Sequence, residues 1–138
     1  TQPSRPSVAG TRVVLVIGNH DRGLGHLPAT LGLDGCVPRL DEPPFHFVHE
    51  PATPLPAPPA PGFTVSGHLH PTVAIRSPGG DRIADRCFVA EEGLLVLPAF
   101  GSFTGGHRVA AAPGRRLWIA RDDGVVEVTR LAAIAARK

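Results

Sequence analysis

The sequence predicts an α/β domain that is rich in strands and largely antiparallel after residue 62. Three observations predict this class: an unbroken aliphatic run at residues 13–17, a series of short strand-like runs separated by glycine and proline turns, and an alanine-rich C-terminal segment. A length of 138 residues with 42% hydrophobic content suits one globular domain with a modest core. The 16 glycines and 16 prolines indicate many turns.

The first strand is predicted at residues 13–17, after an irregular lead-in at residues 1–12 that has no apolar periodicity. Its continuous valine, leucine and isoleucine side chains are typical of a strand that is buried on both faces. Gly18 ends the run.

A second strand is predicted at Phe45–Val48, where a short apolar run leads into a histidine. Between these two strands, residues 28–33 are compatible with a short helical piece. Residues 51–62 are rich in proline, which excludes a central strand or a helix and predicts an extended surface loop. The simplest role for this loop is that of a spacer.

The rest of the chain alternates strand-like runs with turns. The predicted strands are at residues 63–65, 72–76, 86–90, 94–97, 117–120 and 125–129. Their close spacing indicates a largely antiparallel sheet. Residues 131–138 are rich in alanine and end in basic residues, which predicts a short C-terminal helix.

Charge and cysteine content restrict the function only weakly. Arginine supplies 13 of the 14 basic residues, and a net charge of +2 permits a phosphate-bearing partner without requiring one. The spacing of Cys36 and Cys87 matches neither a zinc motif nor a disulfide scaffold, so both are predicted to be small packed side chains. No signal peptide or long apolar span is visible, which predicts a cytoplasmic protein with no membrane partner.

Three strand-like runs each end in side chains with metal-binding or proton-transfer chemistry: Asn19, His20 and Asp21 after the first, His49 after the second, and His68 and His70 after the third. Loops at the ends of neighbouring strands gather around one crevice, so we expect these side chains to converge. Any one of these histidines has an ordinary explanation as a turn or core residue. Four histidines at three strand ends favour a site.

The residue types indicate which metal such a site would hold. Imidazole suits ions such as zinc, iron and manganese, and the amide oxygen of Asn19 shifts the preference toward a harder ion. No cysteine joins the group, which argues against a structural zinc site. His68 and His70 would point to the same side of an extended segment, whereas on a loop they could serve two adjacent ions.

These residues resemble the calcineurin-like metallophosphoesterases, whose later motifs are Gly-Asn-His-Asp/Glu, an isolated His and Gly-His-x-His. Here the motifs are GNHD at 18–21, HE at 49–50 and GHLH at 67–70, in the family's order. More narrowly, PFHFVHEP, GHLHP, RCFV and LVLPAFGSFTGG resemble the bacterial ligase-associated DNA damage response metallophosphoesterases. The resemblance covers about residues 13 to 128.

The resemblance implies a four-layer αββα sandwich, of which this chain would form the C-terminal part, and a site with two divalent metal ions. Manganese is the metal that the resemblance favours, with zinc or iron as alternatives, and two such ions about 3.5–4 Å apart clamp a phosphate in enzymes of this kind. Asn19, His49 and His68 match the ligands of one ion, and His70 matches a ligand of the other.

The resemblance also implies the catalytic roles and the substrate. His20 matches the residue that contacts the phosphate and protonates the leaving oxygen, with Asp21 orienting its ring. The implied function is a metal-dependent phosphodiesterase, a DNA endonuclease of bacterial DNA repair, with a DNA ligase or helicase as possible partners. Two alternatives stay open: a phosphomonoesterase or nucleotide phosphatase of the same superfamily, and a non-catalytic half that binds metal or docks a partner.

The chain departs from the family at its beginning. The family's Asp-x-His and Gly-Asp motifs, which supply the remaining ligands of the first ion and a bridging carboxylate, do not occur before residue 18. The expectation is therefore a single, N-terminally truncated domain over residues 1–138, with an incomplete metal site and little or no catalysis. The other aspartates that could substitute lie in turn-like segments: Asp34, Asp41, Asp81 and Asp85.

The segment at residues 97–106 has two interpretations. Its glycines would allow a phosphate or nucleic acid to approach the backbone, with Phe100 and Phe103 as stacking faces. The alternative, which the residue types favour somewhat, is a turn with two core aromatic side chains. Trp118 is predicted to be a core residue.

Overall fold

The computed structural model describes residues 11–21, 31–51, 62–76 and 79–136. These ranges contain short strands throughout and one helix near the C-terminus. The strands are β1 (Val14–Val16), β2 (Gly35–Val37), β3 (Arg39–Glu42), β4 (Phe45–Val48), β5 (Phe63–Ser66), β6 (Pro71–Arg76), β7 (Arg82–Arg86), β8 (Phe88–Glu91), β9 (Leu94–Val96), β10 (His107–Arg108), β11 (Arg116–Arg121) and β12 (Gly124–Glu127). The helix is α1 (Thr129–Ala136).

The largest sheet has seven strands in the order β12-β11-β8-β9-β5-β4-β3. Strands β4, β5 and β9 are parallel, with Val48 opposite Ser66 and Ser66 opposite Val96. The remaining pairs of this sheet are antiparallel. Because β4, β5 and β9 run in one direction, the loops that follow them leave the sheet at the same edge.

Two smaller sheets complete the described strands. Strands β1 and β2 form a parallel pair, and β6 pairs with β7 in an antiparallel hairpin. The two-residue strand β10 adds to the other side of β6 in parallel orientation. The fold class is therefore α/β with mixed sheets, and four of the six strand pairs after residue 62 are antiparallel, as the sequence predicts.

The hydrophobic core lies where β8, β9 and β11 of the large sheet meet β6 and α1. Alternate side chains of these strands are buried, as expected when one face of each strand packs inward. The helix contributes Ala132 and Ala135, whose small side chains allow it to lie close to β6. At its start, Thr129 Oγ1 accepts a hydrogen bond of 2.9 Å from the Leu117 backbone N–H, which joins the helix to β11.

The predicted burial of residues 13–17 on both faces is wrong. Val14, Leu15 and Val16 are each only half-buried, and Val13 is exposed. The physical reason is that β1 pairs only with β2 among the described strands, and a two-stranded sheet gives little cover.

Several short strands were not predicted from the sequence, and the predicted boundary between two later strands is wrong. Strands β2, β3 and β10 and most of β7 were not predicted. The predicted strand at 86–90 is interrupted at Cys87, so that Arg86 belongs to β7 and the remaining residues belong to β8. The backbone N–H of Cys87 donates to Pro71 O at 3.0 Å, which marks the change from one sheet to the other. Most of the helical piece predicted at 28–33 and most of the loop at 51–62 lie outside the described residues.

Two side chains, Cys36 and Trp118, are less buried than predicted. Cys36 is exposed, so the prediction that both cysteines pack is wrong for it, whereas Cys87 is fully buried. Burial raises the pKa of the Cys87 thiol to about 11, with a smaller contribution from Asp85. Trp118 is half-buried beneath the Arg116 guanidinium, 4.7 Å from its ring centroid. Its neighbours Leu117 and Ile119 occupy the core face, because adjacent strand residues point to opposite sides.

No helix in the described part of the chain has the length and apolar character needed to span a membrane.

Candidate functional site

The segment Gly-Asn-His-Asp follows β1 as a tight turn that is closed twice. The backbone N–H of Gly18 donates to Asp21 Oδ2 at 2.8 Å, and the backbone N–H of Asp21 donates to Gly18 O at 3.1 Å. The strand itself is held by a 2.8 Å bond from Ile17 N–H to Val37 O. With its ends fixed in this way, the turn presents Asn19 and His20 as exposed side chains.

Gly18 is required by the close approach of His49. A Cβ atom at position 18 would lie 2.6 Å from both Cε1 and Nδ1 of the His49 ring, closer than non-bonded atoms approach. Gly18 is buried, so the imidazole of His49 rests against its backbone. The glycine therefore sets the position of the histidine ring.

The segment Gly-His-Leu-His follows β5 in an unusual backbone conformation. His68 and His70 both have positive φ, 64° and 46°. The N–H of Leu69 donates to Gly67 O at 2.8 Å, so His68 occupies the centre of a three-residue γ-turn. Positive φ in a residue with a Cβ is costly and tends to occur at functional sites. The extended interpretation of His68 and His70 is therefore wrong, and the loop interpretation holds.

Three side chains from the three strand ends meet, and we call them the Asn–His cluster: Asn19, His49 and His68. His49 Nε2 lies 2.8 Å from Asn19 Oδ1 and 3.0 Å from His68 Nδ1. The two imidazole rings meet edge to face, with centroids 4.9 Å apart. The predicted convergence of these three residues is thus present in the structure.

The donor set of the Asn–His cluster fits a divalent cation. His49 Nε2 carries at most one hydrogen, which can satisfy either Asn19 Oδ1 or His68 Nδ1 at full strength but not both. Ligand atoms about 2.0–2.1 Å from one metal ion lie about 2.8–3.4 Å from each other at octahedral or tetrahedral angles. The two observed separations are close to that range, so the three atoms suit a shared cation.

The charge environment favours the neutral, ligating form of His49. Partial burial lowers its pKa most, and the neighbouring His68 lowers it further. Asp21 and Glu50 act in the opposite direction, and His20 adds a smaller lowering. Glu50 Oε1 also lies 3.6 Å from His68 Nε2, where a carboxylate can orient the ring.

The other predicted metal ligand does not join the cluster. Within the described ranges, no hydrogen bond, ion pair or ring contact links the His70 side chain to the Asn–His cluster. No group of three or more His, Cys, Asp or Glu side chains among these residues is placed to hold a metal ion. The Asn–His cluster has only two such side chains, and its third possible ligand is the amide oxygen of Asn19. The second metal site therefore stays a prediction.

Asp21 and two of the aspartates considered as substitute ligands, Asp34 and Asp85, bind other partners. The predicted contact between Asp21 and the His20 ring is not found, because Asp21 Oδ2 is directed at the Gly18 backbone. Asp34 accepts from the Val13 N–H, and Asp85 pairs with Arg121. The catalytic roles of His20 and Asp21 remain predictions.

Replacing Asp21 tests its role in the turn. Asp21→Ala is expected to lower the free energy of unfolding by about 1–2 kcal/mol, because the N–H of buried Gly18 loses its acceptor. Asp21→Asn keeps an acceptor oxygen and is expected to stay within about 0.5 kcal/mol of the parent. Urea unfolding measures both. Equal losses in the two variants would assign the effect to the negative charge instead of the hydrogen bond.

Two features of the site region escaped the sequence analysis. His46 is buried, with Nδ1 2.7 Å from Asp41 Oδ1, and the backbone of Gly62 lies against its ring. The alternation of Phe45, His46 and Phe47 was the available signal, because it puts His46 on the face opposite to the two phenylalanines. The second is Glu50, whose carboxylate lies beside His68. It follows His49 in the chain, and no sequence pattern indicated that it would contact a different histidine.

Comparison with solved structures finds a nuclease. The chain is similar to the crystal structure of Pseudomonas putida nuclease MPE, with 36% sequence identity and a TM-score of 0.61. The match covers 84% of this chain and 53% of that nuclease, so the chain spans about half the nuclease's length. No family model matches the sequence, and neither does any curated protein.

Proposed function

We propose that this chain carries part of the active site of a metal-dependent nuclease that hydrolyses phosphodiester bonds in DNA. The observation that carries the proposal is the meeting of three ligand atoms, since His49 Nε2 lies 2.8 Å from Asn19 Oδ1 and 3.0 Å from His68 Nδ1. His49 and His68 follow the parallel strands β4 and β5 at the same edge of the sheet. The likeness to Pseudomonas putida nuclease MPE supports a nuclease over other hydrolases.

The Asn–His cluster would hold one divalent cation, for which we propose manganese, with zinc or iron as alternatives. When bound, such an ion supplies Lewis acidity toward a phosphate oxygen. We propose His70 as a ligand of a second ion. The residue composition of the cluster supports this assignment, since imidazole and amide ligands without thiolate fit a catalytic ion better than a structural zinc.

We propose His20 as the general acid that gives a proton to the leaving oxygen. It is exposed in the same turn as Asn19 and follows that residue directly in the chain. Asp21 supports His20 by closing the turn that presents it. On the motif resemblance, we also propose a role in bacterial DNA repair in the cytoplasm, with a DNA ligase or helicase as partner.

The test compares phosphate esters in the presence of Mn²⁺, using both the 138-residue chain and the product of its complete reading frame. Cleavage of single-stranded or nicked DNA is expected to exceed hydrolysis of a small phosphomonoester. His20→Ala is expected to lower kcat at least about 100-fold while leaving Mn²⁺ affinity unchanged, because the ring acts on the leaving group. His107→Ala, an exposed histidine outside the cluster, is the matched control.

Two outcomes would overturn the proposal. Preference for the monoester would identify a phosphatase. Tight Mn²⁺ binding without hydrolysis of either ester by the full reading frame would identify a non-catalytic metal-binding half.

A further inference from the structure

Two phenylalanines stand fully exposed in the loop at residues 97–106, which we call the aromatic loop. Phe100 and Phe103 are 104% and 106% exposed. The interpretation of this segment as a turn with two core aromatics is therefore wrong. Burying a phenylalanine stabilises a protein by roughly 1.5–3 kcal/mol, so two such side chains three residues apart in water suggest a contact made with something else.

The aromatic loop is held in place by a side chain from another sheet. The guanidinium of Arg86, at the end of β7, donates to the carbonyl oxygens of Ala99, Phe100 and Gly101 at 3.1, 3.4 and 2.7 Å. Thr104 Oγ1 donates to Gly101 O at 2.7 Å. The loop backbone is fixed by these bonds, so the exposure of the two rings follows from a defined conformation.

Both ends of the aromatic loop are bonded to the segment that carries His68. The Leu97 N–H donates to Ser66 O at 2.7 Å, and the His107 N–H donates to His70 O at 3.0 Å. Gly106 permits the second junction, because a Cβ there would lie 2.4 Å from Thr72 Cγ2. The loop therefore leaves and rejoins the fold immediately beside the Asn–His cluster.

The chemistry of the aromatic loop suits a nucleic-acid strand. No acidic residue occurs between Glu92 and Asp122, so the loop does not repel phosphates. Phe100 stands beside an open cavity of about 460 Å³ whose walls include Phe88, Leu97 and Pro98. Asp85 also lines this cavity, where its carboxylate is paired with Arg121. Exposed aromatic rings next to apolar walls bind nucleobases by stacking, and they do so when the bases are unpaired. The glycine and serine between the two rings are small and leave the ring faces accessible.

We propose that Phe100 and Phe103 stack on unpaired bases of the strand whose phosphate lies at the Asn–His cluster, and that Arg86 positions them for this. The two rings then determine which stretches of nucleic acid bind productively. This inference rests on the proposed function, since it takes the strand to be the substrate. Base stacking is nevertheless measurable without cleavage.

The test measures affinity by fluorescence anisotropy, without metal, for a short single-stranded DNA and for an abasic strand of the same length. The parent chain is expected to bind the base-bearing strand more tightly. The double variant Phe100→Ala/Phe103→Ala is expected to lose roughly 10- to 100-fold in affinity for that strand and nothing for the abasic strand. Phe100→Trp/Phe103→Trp is expected to retain the parent affinity.

A matched control is Ile134→Ala, which removes an exposed apolar side chain from α1 and is expected to leave both affinities unchanged. Equal losses of the alanine double variant on both strands, or no loss on either, would overturn the stacking proposal. So would a change in sedimentation from dimer to monomer in that variant, because a second copy of the chain would then be the occupant.

Failure of the proposal is distinguishable from failure of the proposed function. If the complete reading frame cleaves DNA with Mn²⁺ and the alanine double variant binds and cleaves normally, the nuclease stands and the stacking surface is wrong. If affinity depends on the two rings and the bases but no Mn²⁺-dependent cleavage occurs, the surface stands and the nuclease is wrong.

Discussion

Replacing His49 by alanine is expected to lower the affinity of the chain for Mn²⁺ by more than roughly 100-fold. Changing a residue that only supports a metal ligand typically costs 10- to 100-fold, and His49 Nε2 is itself the atom that approaches both other members of the cluster. Isothermal titration with Mn²⁺ measures the effect. Circular dichroism of the variant establishes that the fold is kept.

The control for this prediction is His107→Ala, which removes an exposed imidazole outside the cluster and is expected to bind Mn²⁺ as the parent does. Parent-like binding by His49→Ala would show that the cluster is not a metal site.

The pH dependence of Mn²⁺ binding gives a second check. Because burial and His68 lower the pKa of His49, the neutral ligand persists as pH falls below the ordinary histidine range.

The lowered pKa of His49 also makes the stability of the folded chain depend on pH. Since the pKa of His49 in the folded chain lies below its ordinary value of 6.5, the unfolded chain takes up the proton first as the pH falls. The contribution of His49 to stability is thus present above pH 6.5 and is lost as the pH falls through the folded pKa. His49→Ala is expected to remove this part of the acid sensitivity.

Replacing Gly18 by alanine is expected to lower both the folding stability and the Mn²⁺ affinity of the chain. The new methyl group would stand 2.6 Å from the His49 ring, so either the ring or the turn must move. Overpacking of this kind costs about 1–3 kcal/mol of folding stability. Displacement of His49 from Asn19 and His68 is expected to lower Mn²⁺ affinity by roughly 10- to 100-fold. Urea unfolding and Mn²⁺ titration measure the two effects separately.

Gly105→Ala is the matched substitution for this experiment. A Cβ at position 105 would meet no atom within 4 Å, and the residue is exposed, so stability and Mn²⁺ affinity are expected to stay unchanged. An alanine at position 18 that left Mn²⁺ binding intact would mean that His49 does not need the position it occupies against the glycine.

The convergence of Asn19, His49 and His68 was predictable because local pattern and sheet geometry agree. Each residue lies within three positions of the end of an apolar run. In the structure β4 and β5 are adjacent and parallel, which brings their following loops together. His70 was not predictable in this way. Its direction depends on a backbone with positive φ at two histidines, which no residue pattern specifies.

The exposure of Phe100 and Phe103 was also beyond the sequence pattern. Aromatic residues in a glycine-rich turn can face the core or the solvent, and here the outcome depends on Arg86, which precedes the loop in the chain and comes from a different sheet. Similarly, the composition of residues 13–17 predicts a strand but not how many strands cover it. Long-range contacts decide both cases, and neither is encoded in a short window of sequence.

The two backbone bonds from the aromatic loop to Ser66 O and His70 O have a thermodynamic consequence. They join both ends of the aromatic loop to both ends of the histidine turn, so ordering one segment restricts the conformations of the other. An ion that fixes His68 would then reduce the conformational entropy that the exposed Phe100 and Phe103 side chains still have to lose when the loop takes up a strand. By reciprocity, a bound strand would raise the affinity for the ion by the same factor.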